Sequence, residues 1–154
     1  MTAVMTDLEP GTKYVCRPFL GDERGQEQTF TTDDVVDIPN MSFEEWFNKR
    51  KKNHDCWFPY AEGGAPYWAT GNDGIAMVSD GATYPVTDKV KEGRYAAYME
   101  TKKVTIGVPL AAGNLFTGDF ITNVQDPGSS PKFGRPFTGR PAKLSGWYIY
   151  QPGI

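Results

Sequence analysis

Few residues in this sequence are equipped for covalent chemistry. His54 is the only histidine, flanked by Asp55 and Cys56, so any Ser-His-Asp or Cys-His mechanism would have to run through it. A histidine just past a helix is more ordinarily a surface residue. One histidine and two cysteines, Cys16 and Cys56, lack the spacing of a structural zinc site. Glu62, Asp73, Glu100, Asp119 and Asp126 are the carboxylates to weigh for glycosidic hydrolysis, which needs an acid and a nucleophile or base on opposite sides of one bond. Their spacing pairs no two of them, and a solvated carboxylate is the default reading. Glu100 is the most arguable, because it sits in an apolar run where burial would raise its pKa or demand a partner such as Arg135 or Arg140. Calcium is the one cofactor these oxygen donors could suit, through Asn72-Asp73 or Asp119, but no full ligand loop is written here.

Recognition chemistry is better supplied. Exposed aromatic faces stack on sugar rings and other flat, weakly polar surfaces, while Arg, Asn and Asp bond hydroxyls. Trp57, Tyr67, Trp68, Tyr84 and Trp147 are the aromatic candidates, each with core packing as its competing role. Tyr67-Trp68 beside the turn Gly71-Asn72-Asp73-Gly74 is the preferred site, with Asn72, Arg135 and Arg140 as polar partners. The two arginines belong to Gly134-Arg135-Pro136 and Gly139-Arg140-Pro141. A guanidinium binds carboxylate or phosphate through two parallel bonds, yet this spacing is no phosphate loop. The arginines are expected instead to pair with acidic residues and brace a connector whose Gly and Pro make it neither helix nor central strand.

The elements that position these residues follow from composition. A chain of 154 residues, 39% hydrophobic and 14% aromatic, can build a core, and its 17 Gly and 12 Pro, scattered without a period, suit many short strands. An all-β fold is expected. Residues 1–88 carry 7 basic and 15 acidic side chains and residues 89–154 carry 9 and 4. No basic run or reader motif accompanies that asymmetry, so nucleic acid is disfavoured as a partner. No apolar stretch approaches the roughly 20 residues that cross a bilayer, and Met1 opens no basic-then-apolar signal pattern.

Along the chain, residues 1–32 read as a hairpin: a strand from Tyr14 to Leu20, a turn at Gly21 to Gly25, and a return from Gln26 to Thr32. Residues 33–37 read as an acidic linker, and 38–154 as a second unit. Ser42 with Glu45 forms a capping box, and Met41 with Trp46 a hydrophobic staple, predicting a helix over Phe43 to Lys51. Asn40-Met41-Ser42 matches a glycosylation sequon, discounted because the cap needs Ser42. Strands are predicted at Ile75 to Asp80, Arg94 to Thr101, Leu115 to Thr122 and Lys143 to Tyr150.

Two stretches resemble known families. Leu8-Glu9-Pro10-Gly11-Thr12-Lys13-Tyr14 with Thr29-Phe30-Thr31-Thr32 resembles the closing strands of a fibronectin type III domain. Phe43-Glu44-Glu45-Trp46, Trp68 with Gly71-Asn72, Ala96 to Thr101, Ala111 to Gly118, Phe133 to Phe137 and Tyr148 to Gly153 together resemble the putative carbohydrate metabolism domain. That resemblance implies a jelly-roll β-sandwich similar to galactose-binding-like and carbohydrate-binding modules, in surface or secreted proteins of glycan-degrading bacteria. Some family members are labelled glycoside hydrolase or xylanase. The expected function is a non-catalytic, carbohydrate-associated module with a glycan partner; a glycoside hydrolase and a structural or adhesion spacer are the alternatives. With fewer strands visible than the roughly eight of a jelly roll, the sequence is expected to be part of a longer one and to aggregate or exchange strands by itself.

Overall fold

A computed structural model describes residues 3–104 and 109–153. The chain divides into two compact units, Met1–Asp37 with Phe137–Leu144, and Ile38–Pro136 with Ser145–Ile154. Every strand pair is antiparallel and helix is confined to single short turns, so the fold is all-β.

The first unit contains the expected hairpin, together with residues 33–37 and Phe137–Leu144 that were read as linker and second unit. Its strands are β1 (Lys13–Cys16), β2 (Phe19–Leu20), β3 (Glu23–Arg24) and β4 (Gln28–Thr31), with β1 on β4 and β2 on β3. Tyr14 lies opposite Phe30 and stacks on it at 5.7 Å. The Tyr14 hydroxyl accepts from the Glu9 N–H at 2.7 Å, and Thr32 Oγ1 donates to the Glu9 carbonyl at 2.6 Å, closing the base of the hairpin.

The second unit contains β5 (Phe47–Asn48), β6 (Trp57–Phe58), β7 (Trp68–Ala69), α1 (Asn72–Ile75), β8 (Thr83–Val86), β9 (Ala96–Met99), β10 (Thr101–Lys103), β11 (Leu110–Ala112), β12 (Phe116–Phe120) and β13 (Pro131–Phe133). β12 is the centre of a three-stranded sheet, with β13 on one side and β7 on the other. The remaining pairs are β5 with β6, β8 with β9, and β10 with β11.

No helix forms over Phe43 to Lys51. Asn40 and Phe43 adopt φ of 49° and 57°, in the left-handed region that a right-handed helix cannot pass through. The Asn40 amide holds that turn: Oδ1 accepts from the Glu45 N–H at 3.0 Å, and Nδ2 donates to the Glu45 and Pro59 carbonyls at 2.9 Å each. Tertiary packing outweighs helix propensity here. Phe43 meets Trp68 edge-on at 5.0 Å, and Phe47 stacks on Phe58 at 5.0 Å within the β5–β6 ladder. Ser42 is left exposed and caps nothing. The cap for which the sequon was discounted is therefore absent, and the Asn40 nitrogen is engaged by two carbonyls.

The helix that does form, α1, lies where a tight turn and then a strand over Ile75 to Asp80 were expected. N–H groups of Ile75, Ala76 and Ser79 bond back four residues, at 3.3, 2.8 and 3.0 Å, and local bonds of this kind exclude a strand ladder. The strands expected at Arg94 to Thr101 and Leu115 to Thr122 are present as β9 with the start of β10, and as β12. Lys143 to Tyr150 is not a strand: none of the described residues pairs with it, and Trp147, Tyr148, Ile149 and Tyr150 are 73–90% exposed.

Burial in the second unit centres on a polar junction rather than an oily one. Thr70, Asn72 and Thr83 are as deeply buried as Cys56, Ala76 and Ala82. Asn72 Nδ2 donates to the carbonyls of Trp57 at 2.7 Å and Thr83 at 2.5 Å, while Oδ1 accepts from the Thr83 N–H at 3.0 Å. Asn114 continues the junction, its Oδ1 accepting from the Gly71 N–H at 2.8 Å and its carbonyl accepting from Thr83 Oγ1 at 2.9 Å. Buried polar groups are tolerable only when bonded, and these two asparagines satisfy backbone that no ladder reaches.

Candidate functional site

β7, α1 and β12 meet the Phe58–Tyr60 segment around a cavity of about 130 Å³. Phe58, Tyr60, Pro66, Trp68 and Phe120 give it apolar and aromatic walls, and Asp73 and Asp119 give it carboxylates. Each wall has a local cause. Trp68 lies opposite Thr117 in the β7–β12 ladder, and its indole N–H donates to the Pro39 carbonyl at 2.7 Å. With Phe43 against its edge the ring is locked before any ligand arrives, which reduces the entropic cost of binding. Gly118 lines the floor at φ 136°, and a Cβ there would overlap the Lys132 carbonyl oxygen, so glycine is needed for β12 and β13 to close.

The two carboxylates are held differently. Asp73 pairs with Lys51 and accepts from Thr122 Oγ1 at 2.8 Å. Burial pushes its pKa up, but the bonds from Lys51 and Thr122 and the charges of Lys51 and Lys49 outweigh burial and hold the carboxyl below its ordinary value. Asp119, half-exposed on β12, pairs through Oδ1 with Arg135, whose Nη2 also donates to the Gly118 carbonyl at 3.0 Å. Between them, the Tyr60 hydroxyl is raised by burial and by the nearby Cys56, Asp73 and Asp119, and so remains a neutral donor.

The expected recognition residues are dispersed by the fold. Trp68 lines the cavity, Tyr67 packs edge-on to it at 6.0 Å, and Arg135 bonds two of the lining residues. Asn72 is 1% exposed with its amide committed to backbone, so it braces the site from behind and offers a ligand nothing. Arg140 is exposed and falls in the first unit. Of the other stacking candidates, Tyr84 bonds Glu100 at 3.1 Å and lies 5.1 Å from Tyr98, and Trp147 carries Lys91 over its ring at 4.8 Å. Phe58, Tyr60 and Phe120 were missed. The cluster of aromatics in Trp57-Phe58-Pro59-Tyr60 was the available signal for the first two, one easily assigned to core.

Cys56, His54 and Glu100, candidates for covalent chemistry, lie outside the cavity lining. Cys56 is fully buried, and burial, with Asp73 nearby, pushes its thiol up to about 11. His54, bridged to Lys51 in the turn that joins β5 to β6, sits 3.5 Å from Asp80. Glu100 finds neither arginine: it accepts from the Tyr84 hydroxyl and pairs with Lys102 at 3.1 Å, and burial and Glu100 together push Tyr84 up to about 12. Among the described residues, no group of three or more His, Cys, Asp or Glu side chains could hold a metal, and no helix is long and apolar enough to cross a membrane.

The family model for the putative carbohydrate metabolism domain matches residues 42–154. The chain belongs to that family. Comparison with curated proteins and with solved structures gave no match. Every residue lining the cavity lies within the family match, and so do Asn72 and Asn114; the Asn114 side chain joins the Trp68–Asn72 block to the Ala111–Gly118 block. The function is therefore carbohydrate-related, and the aromatic and carboxylate-lined cavity is its candidate site.

Proposed function

We propose that the second unit is a non-catalytic carbohydrate-binding module of a cell-surface or secreted protein, and that its glycan seats on Trp68 in this cavity. The observation that carries the reading is the combination of a fixed indole with Tyr60, Phe58 and Phe120 around a carboxylate that can accept from a hydroxyl, Asp119. Flat apolar walls with a few convergent polar groups are what a sugar ring requires. A jelly-roll architecture, and a fibronectin type III-like origin for the N-terminal hairpin, belong to the same proposal.

Glycoside hydrolysis is the second reading, favoured by two carboxylates lining one cavity. It is the weaker one, because a general acid needs a raised pKa and Asp73 is held low by Lys51 and Thr122. A glycan array followed by titration calorimetry tests the first reading, and assay of reducing-sugar release tests the second. Trp68→Ala should lower affinity for any bound glycan at least about tenfold while leaving the near-ultraviolet dichroism of the other aromatics in place. Undiminished affinity would remove the cavity from the proposal, and release of reducing ends, lost in Asp119→Asn, would replace binding by catalysis.

A further inference from the structure

We infer that this pocket takes a single uncharged sugar ring and discriminates against uronic acids. The inference rests on the carbohydrate-binding reading above and narrows its ligand. Size comes first. At about 130 Å³, the pocket is smaller than the roughly 150 Å³ closed cavity that holds one benzene ring, so it admits no more than one six-membered ring, part of which stays outside its open side.

Charge decides the kind of ring. Asp73 and Asp119 line the cavity, whereas the cations that pair with them, Lys51 and Arg135, are not among its lining residues. A sugar carboxylate entering the pocket would find no cation among the lining residues and the two nearby ones already committed to Asp73 and Asp119, so it would lose its water without gaining a partner. A neutral ring meets acceptors instead. Both Asp73 oxygens are already engaged, Oδ1 by Lys51 and Oδ2 by Thr122. Arg135 takes only Oδ1 of Asp119, whose side chain is 50% exposed, so Asp119 Oδ2 has no partner among the described residues and is the atom to accept from a ring hydroxyl. The neutral Tyr60 hydroxyl supplies a donor on the same wall.

The test is titration calorimetry of the full chain with paired probes: neutral methyl hexosides, the matching methyl hexuronosides, and oligosaccharides of whichever hexose binds. The neutral member of a pair should bind at least about tenfold more tightly than its uronic counterpart. Lengthening the glycan should improve affinity by no more than about threefold, since one ring fills the site. Asp119→Asn should narrow the preference for the neutral member, because it leaves Arg135 without its partner. Should that variant not fold, the wild-type ratio still decides. Equal or tighter binding of the uronic member, or affinity that climbs with each added ring, would overturn the inference while Trp68-dependent binding kept the parent reading intact. Failure of every sugar to bind, or binding indifferent to Trp68→Ala, would overturn both.

Discussion

Gly134-Arg135-Pro136 and Gly139-Arg140-Pro141 are one tripeptide written twice, and the fold uses the two copies differently. In the first, Gly134 takes φ 98° and its N–H donates to the Thr117 carbonyl at 2.7 Å, which sets the chain against β12. Arg135 then reaches back to the Gly118 carbonyl and the Asp119 carboxylate. In the second, Gly139 needs no left-handed backbone, and Arg140 is exposed without an ion pair or side-chain hydrogen bond to a described residue. The difference lies in what stands opposite. A guanidinium becomes part of a site when a neighbouring strand presents a carbonyl and a carboxylate in its plane, and the tripeptide cannot provide those itself.

The most damaging way to probe that dependence on partners is at Asn72, whose fully buried side chain makes three hydrogen bonds. Asn72→Ala strands two buried carbonyls and one buried N–H at the junction of Trp57 and Thr83. Each such group costs about 1–3 kcal/mol when unpaired, so a loss of roughly 3 kcal/mol or more is expected in chemical denaturation of the full chain. A loss below about 1 kcal/mol would show that water replaces the amide and that the junction is not what positions α1. Arg135→Ala comes next. It forfeits a bond to the Gly118 carbonyl and a half-exposed ion pair, partly offset because the buried Arg135 Nε has no partner to lose among the described residues. About 1–2 kcal/mol is expected, with weaker glycan affinity as Asp119 loses its anchor.

The same dependence explains what could be read in the sequence. The all-β class, the N-terminal hairpin and the strand at Phe116–Phe120 were legible because turn residues and β-branched or aromatic runs are local signals. The Phe43 helix was misread although its cap, staple and charge pattern were all in place. Phe43 and Phe47 are instead fixed by distant groups, with Trp68, Phe58 and Tyr60 taking the rings and the Arg94 N–H bonding Glu44 at 2.9 Å, while the Trp46 indole N–H donates to the Phe43 carbonyl at 2.6 Å. Trp68 was legible as a ring beside a turn. Its companions Tyr60 and Phe120, sixty residues apart in the chain, line the same cavity through different elements, Phe120 on β12, which pairs with β7, and Tyr60 against Phe47 and Phe58. Asn72 looked like a ligand-binding residue because an amide in a turn does so in most sequences; only its burial shows that the backbone is its ligand.

Asp73 gives a smaller effect, and one that pH isolates. Its folded pKa lies below the ordinary value of 3.8, so the unfolded state binds the proton more readily. Its contribution to stability is therefore present at neutral pH and above the unfolded pKa, and is lost as pH falls below 3.8 through the folded value. In Asp73→Asn, the acid limb of a stability–pH profile should flatten over that window, while stability at pH 7 should fall with the loss of the Lys51 pair. An unchanged acid limb would mean that other carboxylates set it.

The smallest effect expected is at Arg140, and it is the control on which the comparison turns. An exposed side chain without a described partner should change stability by no more than about 0.5 kcal/mol when cut to alanine. Glycan affinity should not move, because Arg140 neither lines the cavity nor bonds a residue that does. The double variant Arg135→Ala with Arg140→Ala should then lose what the first alone loses, since sites without shared partners add. If Arg140→Ala instead cost as much as Arg135→Ala, or if the pair departed from additivity by more than about 0.5 kcal/mol, the repeated tripeptide would be acting as one unit. The partner-based account of Arg135 would then have to give way to one in which both guanidinium groups engage a common group.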